Sequence, residues 1–116
     1  MSEVTIYHNP RCSKSRATLA LLEEHSVVPT VVEYLSTPPD PATLNRLLDM
    51  LGLSPRELMR RKEAVYADLG LGDDDLSDDA LIEAMVANPI LIERPIVVAG
   101  DRAVIGRPPE NVLELI

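Results

Sequence analysis

Apolar and polar positions change period several times along the chain, and each change marks an element. Glu3 to His8 (EVTIYH) alternates and is rich in β-formers, which predicts a strand that Asn9-Pro10 ends. Ser13 to Glu24 predicts a helix, with Ala17, Ala20, Leu21 and Glu24 on one side. Thr30 to Leu35, reached through Pro29, predicts a second strand. The order strand, helix, strand predicts a βαβ unit with its two strands parallel.

The following stretch predicts helices. Asp40 is placed to cap a helix with Pro41 at its first position and Gly52 just past its end. Leu44, Leu47, Leu48 and Leu51 fall at i, i+3, i+4 and i+7, one stripe to bury. Ser54-Pro55-Arg56-Glu57 predicts a capping box at the head of a short helix. Ser77 predicts the cap of another, which buries Leu81, Ile82 and Met85 and ends near Asn88-Pro89. Ile96 to Ala99 and Arg102 to Ile105 flank Gly100-Asp101, a hairpin signal, and Pro108-Pro109 opens a last helix carrying Val112, Leu113 and Ile116. The sum is βαβ, a helical insert over residues 40–88, then ββα. That order predicts an α/β, thioredoxin-like fold: a mixed four-stranded sheet in one domain over residues 1–116.

Composition narrows the function classes. The 116 residues are 46% apolar, enough for one core, but contain no Phe and no Trp. Packing therefore rests on aliphatic side chains, and an aromatic platform for nucleic-acid bases is not expected. With 19 acids against 11 bases the net charge is −8, which opposes binding to nucleic acid or to anionic membranes. No apolar run exceeds four residues (Leu19 to Leu22 is one), so neither a transmembrane helix nor a signal peptide is expected. Cys12 is the only cysteine, which excludes a disulfide scaffold and a cysteine-rich metal site. A monomer in a reducing, cytoplasmic setting is the expectation.

Candidate chemistry gathers around that cysteine. Cys12 follows a predicted strand and opens a predicted helix, where free N–H groups and the positive helix end favour a thiolate. Arg11, Lys14 and Arg16 add positive charge, His8 lies four residues upstream, and Ser13 and Ser15 offer hydroxyls. The alternative is a buried cysteine acting as a small hydrophobe. The first turn reads CSKS and not CxxC, so any redox cycle must close on an external thiol. Arg60, Arg94 and Arg107 carry forks suited to tetrahedral oxyanions, although spacing alone favours each pairing with a surface carboxylate, the commoner fate. Pro95 stands where thioredoxin-like folds place a cis proline facing the thiol. His25 suits the end of the first helix as a favourable charge. The acidic stretch Asp73 to Asp79 lacks EF-hand spacing and predicts a solvated helix start with no metal.

Four segments together resemble one known family. Ile6-Tyr7-His8-Asn9-Pro10-Arg11-Cys12-Ser13-Lys14-Ser15-Arg16 resembles the active-site signature of glutaredoxin-coupled arsenate reductases and their short bacterial relatives. Glu57 to Glu63 (ELMRRKE), Asn88 to Val98 (NPILIERPIVV) and Ile105 to Glu110 (IGRPPE) resemble that family's later segments, in the same order. The resemblance implies the thioredoxin-like fold with a helical insertion. It implies Cys12 as nucleophile, His8 as an aid to its ionisation, Ser15 as a hydroxyl near the sulfur, and Arg60, Arg94 and Arg107 as oxyanion ligands. It also implies the reaction. Arsenate docks on the arginines, the Cys12 thiolate attacks arsenic, and an oxygen leaves as water. Glutathione, the co-substrate, attacks the adduct, arsenic becomes trivalent, glutaredoxin removes the glutathione, and arsenite is released. No bound cofactor, metal or flavin is needed. Two other classes stay open: an Spx-like regulator that binds RNA polymerase, and a glutathione-dependent thiol oxidoreductase acting on something other than arsenate. Ser15 in place of a second cysteine, with all the arginines present, favours the enzyme.

Overall fold

A computed structural model describes residues 3–116. The chain packs as two compact units, one from its start to Thr37 joined by Arg94–Ile116, the other Pro38–Glu93. The first unit holds the sheet. Its strands are β1 (Val4–His8), β2 (Thr30–Glu33), β3 (Ile96–Ala99) and β4 (Arg102–Ile105), in the order β2-β1-β3-β4. β1 and β2 run parallel, linked by α1 (Ser13–Glu24), with Ile6 opposite Val31 and His8 opposite Glu33. β3 runs antiparallel to both β1 and β4, with Ile6 opposite Val97. This is the mixed sheet of a thioredoxin-like fold. The core beneath it is aliphatic: Ile6, Leu22, Val97 and Val112 are fully buried.

Local signals set most boundaries. In the second unit, Asp40 accepts the Thr43 N–H and starts α2 (Pro41–Leu51), with Pro41 at the position where a missing N–H costs nothing. Gly52 ends it in the left-handed region at φ 69°, which glycine enters without steric cost. Leu44, Leu47 and Leu48 are buried and Leu51 is half-buried. Ser54 and Glu57 make both bonds of the capping box on α3 (Pro55–Leu58). Ser77 caps α5 (Asp78–Ala87), whose Leu81, Ile82 and Met85 are buried. A short α4 (Ala64–Asp68), with no side-chain cap, was not expected. No helix among the described residues is long and apolar enough to cross a membrane.

Three expectations are corrected. The buried residues of α1 are Ser15, Thr18 and Leu22, while Ala17, Ala20 and Glu24 are exposed. β2 ends at Glu33 and not Leu35, because the Ser36 and Thr37 N–H groups turn back onto the Glu33 carbonyl. The closing helix is a 3-10 turn, Pro109–Glu114, that buries Val112 and leaves Leu113 and Ile116 exposed.

Candidate active site

Cys12 is the N-cap of α1, half-buried, in extended backbone conformation. The turn that delivers it from β1 is built by Asn9. The Asn9 carbonyl accepts the Cys12 N–H at 3.0 Å, and its side-chain Oδ1 accepts the Arg11 N–H at 3.0 Å. Asn9 is 4% exposed, so these bonds are sheltered from water. The Cys12 carbonyl then accepts the Arg16 N–H, the first bond of the helix.

Burial pushes the Cys12 thiol pKa up, but the Ser15 N–H, the Arg94 side chain and the Lys14 N–H outweigh it. The net result lies below the ordinary thiol value. The sulfur makes no regular capping hydrogen bond, so the two amides act on it as dipoles at the helix start. Arg94 is buried, reaches the sulfur with its side chain, and adds its charge. Arg107 Nη1 stands 3.8 Å from Sγ and also donates to the Arg94 carbonyl at 3.2 Å. Residues far apart in sequence thus place two guanidinium groups on one sulfur. Arg94→Gln removes the buried charge, so the thiol pKa is expected to rise and alkylation at pH 7 to slow several-fold. The pH dependence of iodoacetamide alkylation measures this directly, because no second thiol exists.

His8 and Ser15 form a buried pair behind the sulfur's loop. His8 Nδ1 and Ser15 Oγ lie 2.7 Å apart, and Ser15 Oγ also accepts the Asn9 N–H at 3.0 Å. Burial lowers the His8 pKa, Glu33 raises it, and Arg16 lowers it; the net is below the usual value, so His8 is neutral at neutral pH. His8 therefore bonds to Ser15 Oγ, and it is the Ser15 backbone N–H that favours the thiolate. Ser15→Ala strips His8 and the Asn9 N–H of a shared buried partner. It is expected to destabilise the fold by about 1–3 kcal/mol, read from urea unfolding.

Arg60 lies in the second unit. Its guanidinium contacts Glu63 at 3.1 Å and Glu93 at 2.7 Å. Burial works against its charge, and the two carboxylates outweigh burial and hold it firmly protonated. Of the three arginines, then, Arg94 and Arg107 meet at Cys12 and Arg60 holds carboxylates. The Arg94-Pro95 bond is cis, as is Arg107-Pro108. His25 is exposed, with Nδ1 beside the Leu21 carbonyl at the end of α1. Asp78 and Asp79 occupy the first turn of α5.

Sequence reasoning used Asn9 as a strand end but not as the residue that builds the cysteine's turn, and it gave Thr18 and Gly106 no role in placing the site. An Asn between a strand and a helix start is a turn signal that was there to use. Thr18 and Gly106 carry no local signal, because what fixes them is each other.

The ArsC family profile matches residues 7–115. The "Uncharacterized protein YfgD" of Escherichia coli K12 is 64% identical over 115 residues, 98% of this chain and 97% of that protein. An "Arsenate reductase" of Neisseria meningitidis (strain MC58) is 51% identical over 113 residues, 97% of each chain. Among solved structures, "Arsenate reductase from Vibrio cholerae" superposes with a TM-score of 0.96 at 56% identity, covering 99% of this chain and 98% of its own.

Proposed function

The chain belongs to the ArsC family, and from that premise we propose that it is an arsenate reductase that draws its electrons from glutathione and glutaredoxin. The observation that carries the reading is the half-buried Cys12 sulfur, its pKa lowered, facing the Arg94 and Arg107 guanidinium groups. The names of close relatives support the same substrate.

Arsenate is a dianion near neutral pH. On a chain of net charge −8 it needs a local positive site, and Arg94 and Arg107 supply one beside the nucleophile. The Cys12 thiolate attacks arsenic, a sulfur–arsenic bond forms, and an arsenic–oxygen bond breaks. The thiol proton ends on the departing water. Glutathione then displaces a second water and forms a second sulfur–arsenic bond. Arsenic is still pentavalent at this point. The two-electron change comes when the glutaredoxin thiolate takes the glutathione sulfur as a mixed disulfide and leaves the bonding pair on arsenic. Water cleaves the remaining bond, arsenite departs, and Cys12 is regenerated. His8 and Ser15 hold the loop that presents the sulfur. The role of Arg60 as an oxyanion ligand rests on the resemblance alone. The protein supplies only side chains to this cycle, with no bound cofactor, in a monomer within a reducing cytoplasm.

The test is a coupled assay with arsenate, glutathione and glutaredoxin, run beside a small glutathione mixed disulfide as alternative substrate. Arsenate-dependent thiol oxidation is the expected result. Turnover of the mixed disulfide with none of arsenate overturns the proposal in favour of a general thiol oxidoreductase.

A further inference from the structure

Thr18 is a polar residue with no exposure at all, in the second turn of α1. Burying a hydroxyl is unfavourable unless it is hydrogen-bonded. Its Oγ1 lies 2.8 Å from the Lys14 carbonyl oxygen and 3.2 Å from the Gly106 carbonyl oxygen, 88 residues away, and its one proton is shared between the two. Gly106 has no room for a side chain. A Cβ there would lie 2.5 Å from Thr18 Oγ1 and 2.9 Å from both Thr18 Cγ2 and Pro95 Cγ. On its other side the Gly106 N–H donates to the Pro95 carbonyl at 2.9 Å. One glycine is therefore locked to α1 and to the start of β3 together. Arg107 follows it directly, and Arg94 directly precedes Pro95.

We propose that Thr18 is a positioning residue: its hydroxyl fastens α1 to the Gly106 backbone and so sets the distance from the Cys12 sulfur to the Arg94 and Arg107 guanidinium groups. Valine has the same shape as threonine and would fill the same space. What valine lacks is the hydroxyl's bond from the helix bearing the thiol to the segment bearing Arg107. The proposal rests on reading Cys12 as the nucleophile, and its test needs no arsenate.

The experiment measures iodoacetamide alkylation of Cys12 against pH, alongside thermal unfolding, in the full chain and in Thr18→Val, Thr18→Ala and Thr18→Ser. His8, Arg11, Lys14 and Arg16, the other titratable or charged groups around the helix start, are the same in all four. The valine and alanine variants are expected to move the profile midpoint up by about half to one pH unit, or about threefold to tenfold less thiolate below the midpoint. The serine variant keeps the hydroxyl and is expected to track the parent midpoint even as the lost methyl lowers its unfolding temperature. A valine variant with a lower unfolding temperature but the parent midpoint overturns the proposal and leaves Thr18 as packing. A serine variant that shifts as far as valine does so too, since the hydroxyl is then not the agent. A parent midpoint at the ordinary cysteine value overturns the nucleophile reading and the role of Thr18 with it. A lowered parent midpoint that valine leaves unchanged overturns the role of Thr18 alone.

Discussion

Replacing Cys12 by Ser is expected to lower arsenate turnover by about three orders of magnitude or more and to leave the fold at least as stable. The loss follows from the chemistry. A serine hydroxyl stays protonated where the thiol ionises, and no other cysteine stands in for it. The stability follows from position. Cys12 caps α1 with no regular side-chain capping bond, and serine is among the best N-caps, so its oxygen is expected to gain one. The substitution thus exchanges a weak cap for a strong one, worth about 0.5–2 kcal/mol. Steady-state rates and urea unfolding on the same preparation check both halves. A variant that retains turnover excludes Cys12 as the nucleophile. A variant that unfolds more easily shows that the sulfur holds the loop together.

The second large effect is on stability. Gly106→Ala is expected to cost about 1–3 kcal/mol, because the new methyl meets the Thr18 side chain and the Pro95 ring in a closed space. Neither neighbour is the far end of a flexible chain. Thr18 is fully buried and hydrogen-bonded, and the Pro95 ring is rigid. Thr18→Ala in the same molecule removes two of the three clashing atoms, so the pair of substitutions is expected to cost less than the sum of the singles. Urea midpoints of the four chains measure that coupling. Equal midpoints for Gly106→Ala and the parent show that the backbone at 106 moves away freely, which is incompatible with a rigid lock.

The legible parts of this molecule were those with local causes. Asp40 with Pro41 and Gly52, Ser54 with Glu57, and Ser77 each satisfy a helix end within a few residues, so a reading of neighbours finds them. The four strands followed from β-branched runs and from the Gly100-Asp101 turn. Cys12 and the turn before it were readable for the same reason. What failed was the buried side of α1. A search for apolar stripes favours Ala17 and Ala20 there, whereas the inward residues Ser15 and Thr18 are polar. They are inside because distant partners, His8 and Gly106, take their hydrogen bonds, and spacing within one helix carries no trace of that. The arginines split on similar grounds. Arg94 and Arg107 are steered to the sulfur by strand pairing, while Arg60 has Glu63 three residues on and Glu93 to hold it. Their chemistry marked all three as candidates, and the resemblance to a family raised them above surface pairing before any geometry was in view.

The thiol sits near the start of the chain, and the guanidinium groups that sharpen it come from positions 94 and 107. During synthesis the ribosome therefore releases a cysteine of ordinary acidity. Its pKa falls only after residue 107 has emerged and β3 has slotted in beside β1. An unfinished copy of this protein therefore carries a smaller thiolate fraction at neutral pH, and the full fraction arrives together with the completed sheet.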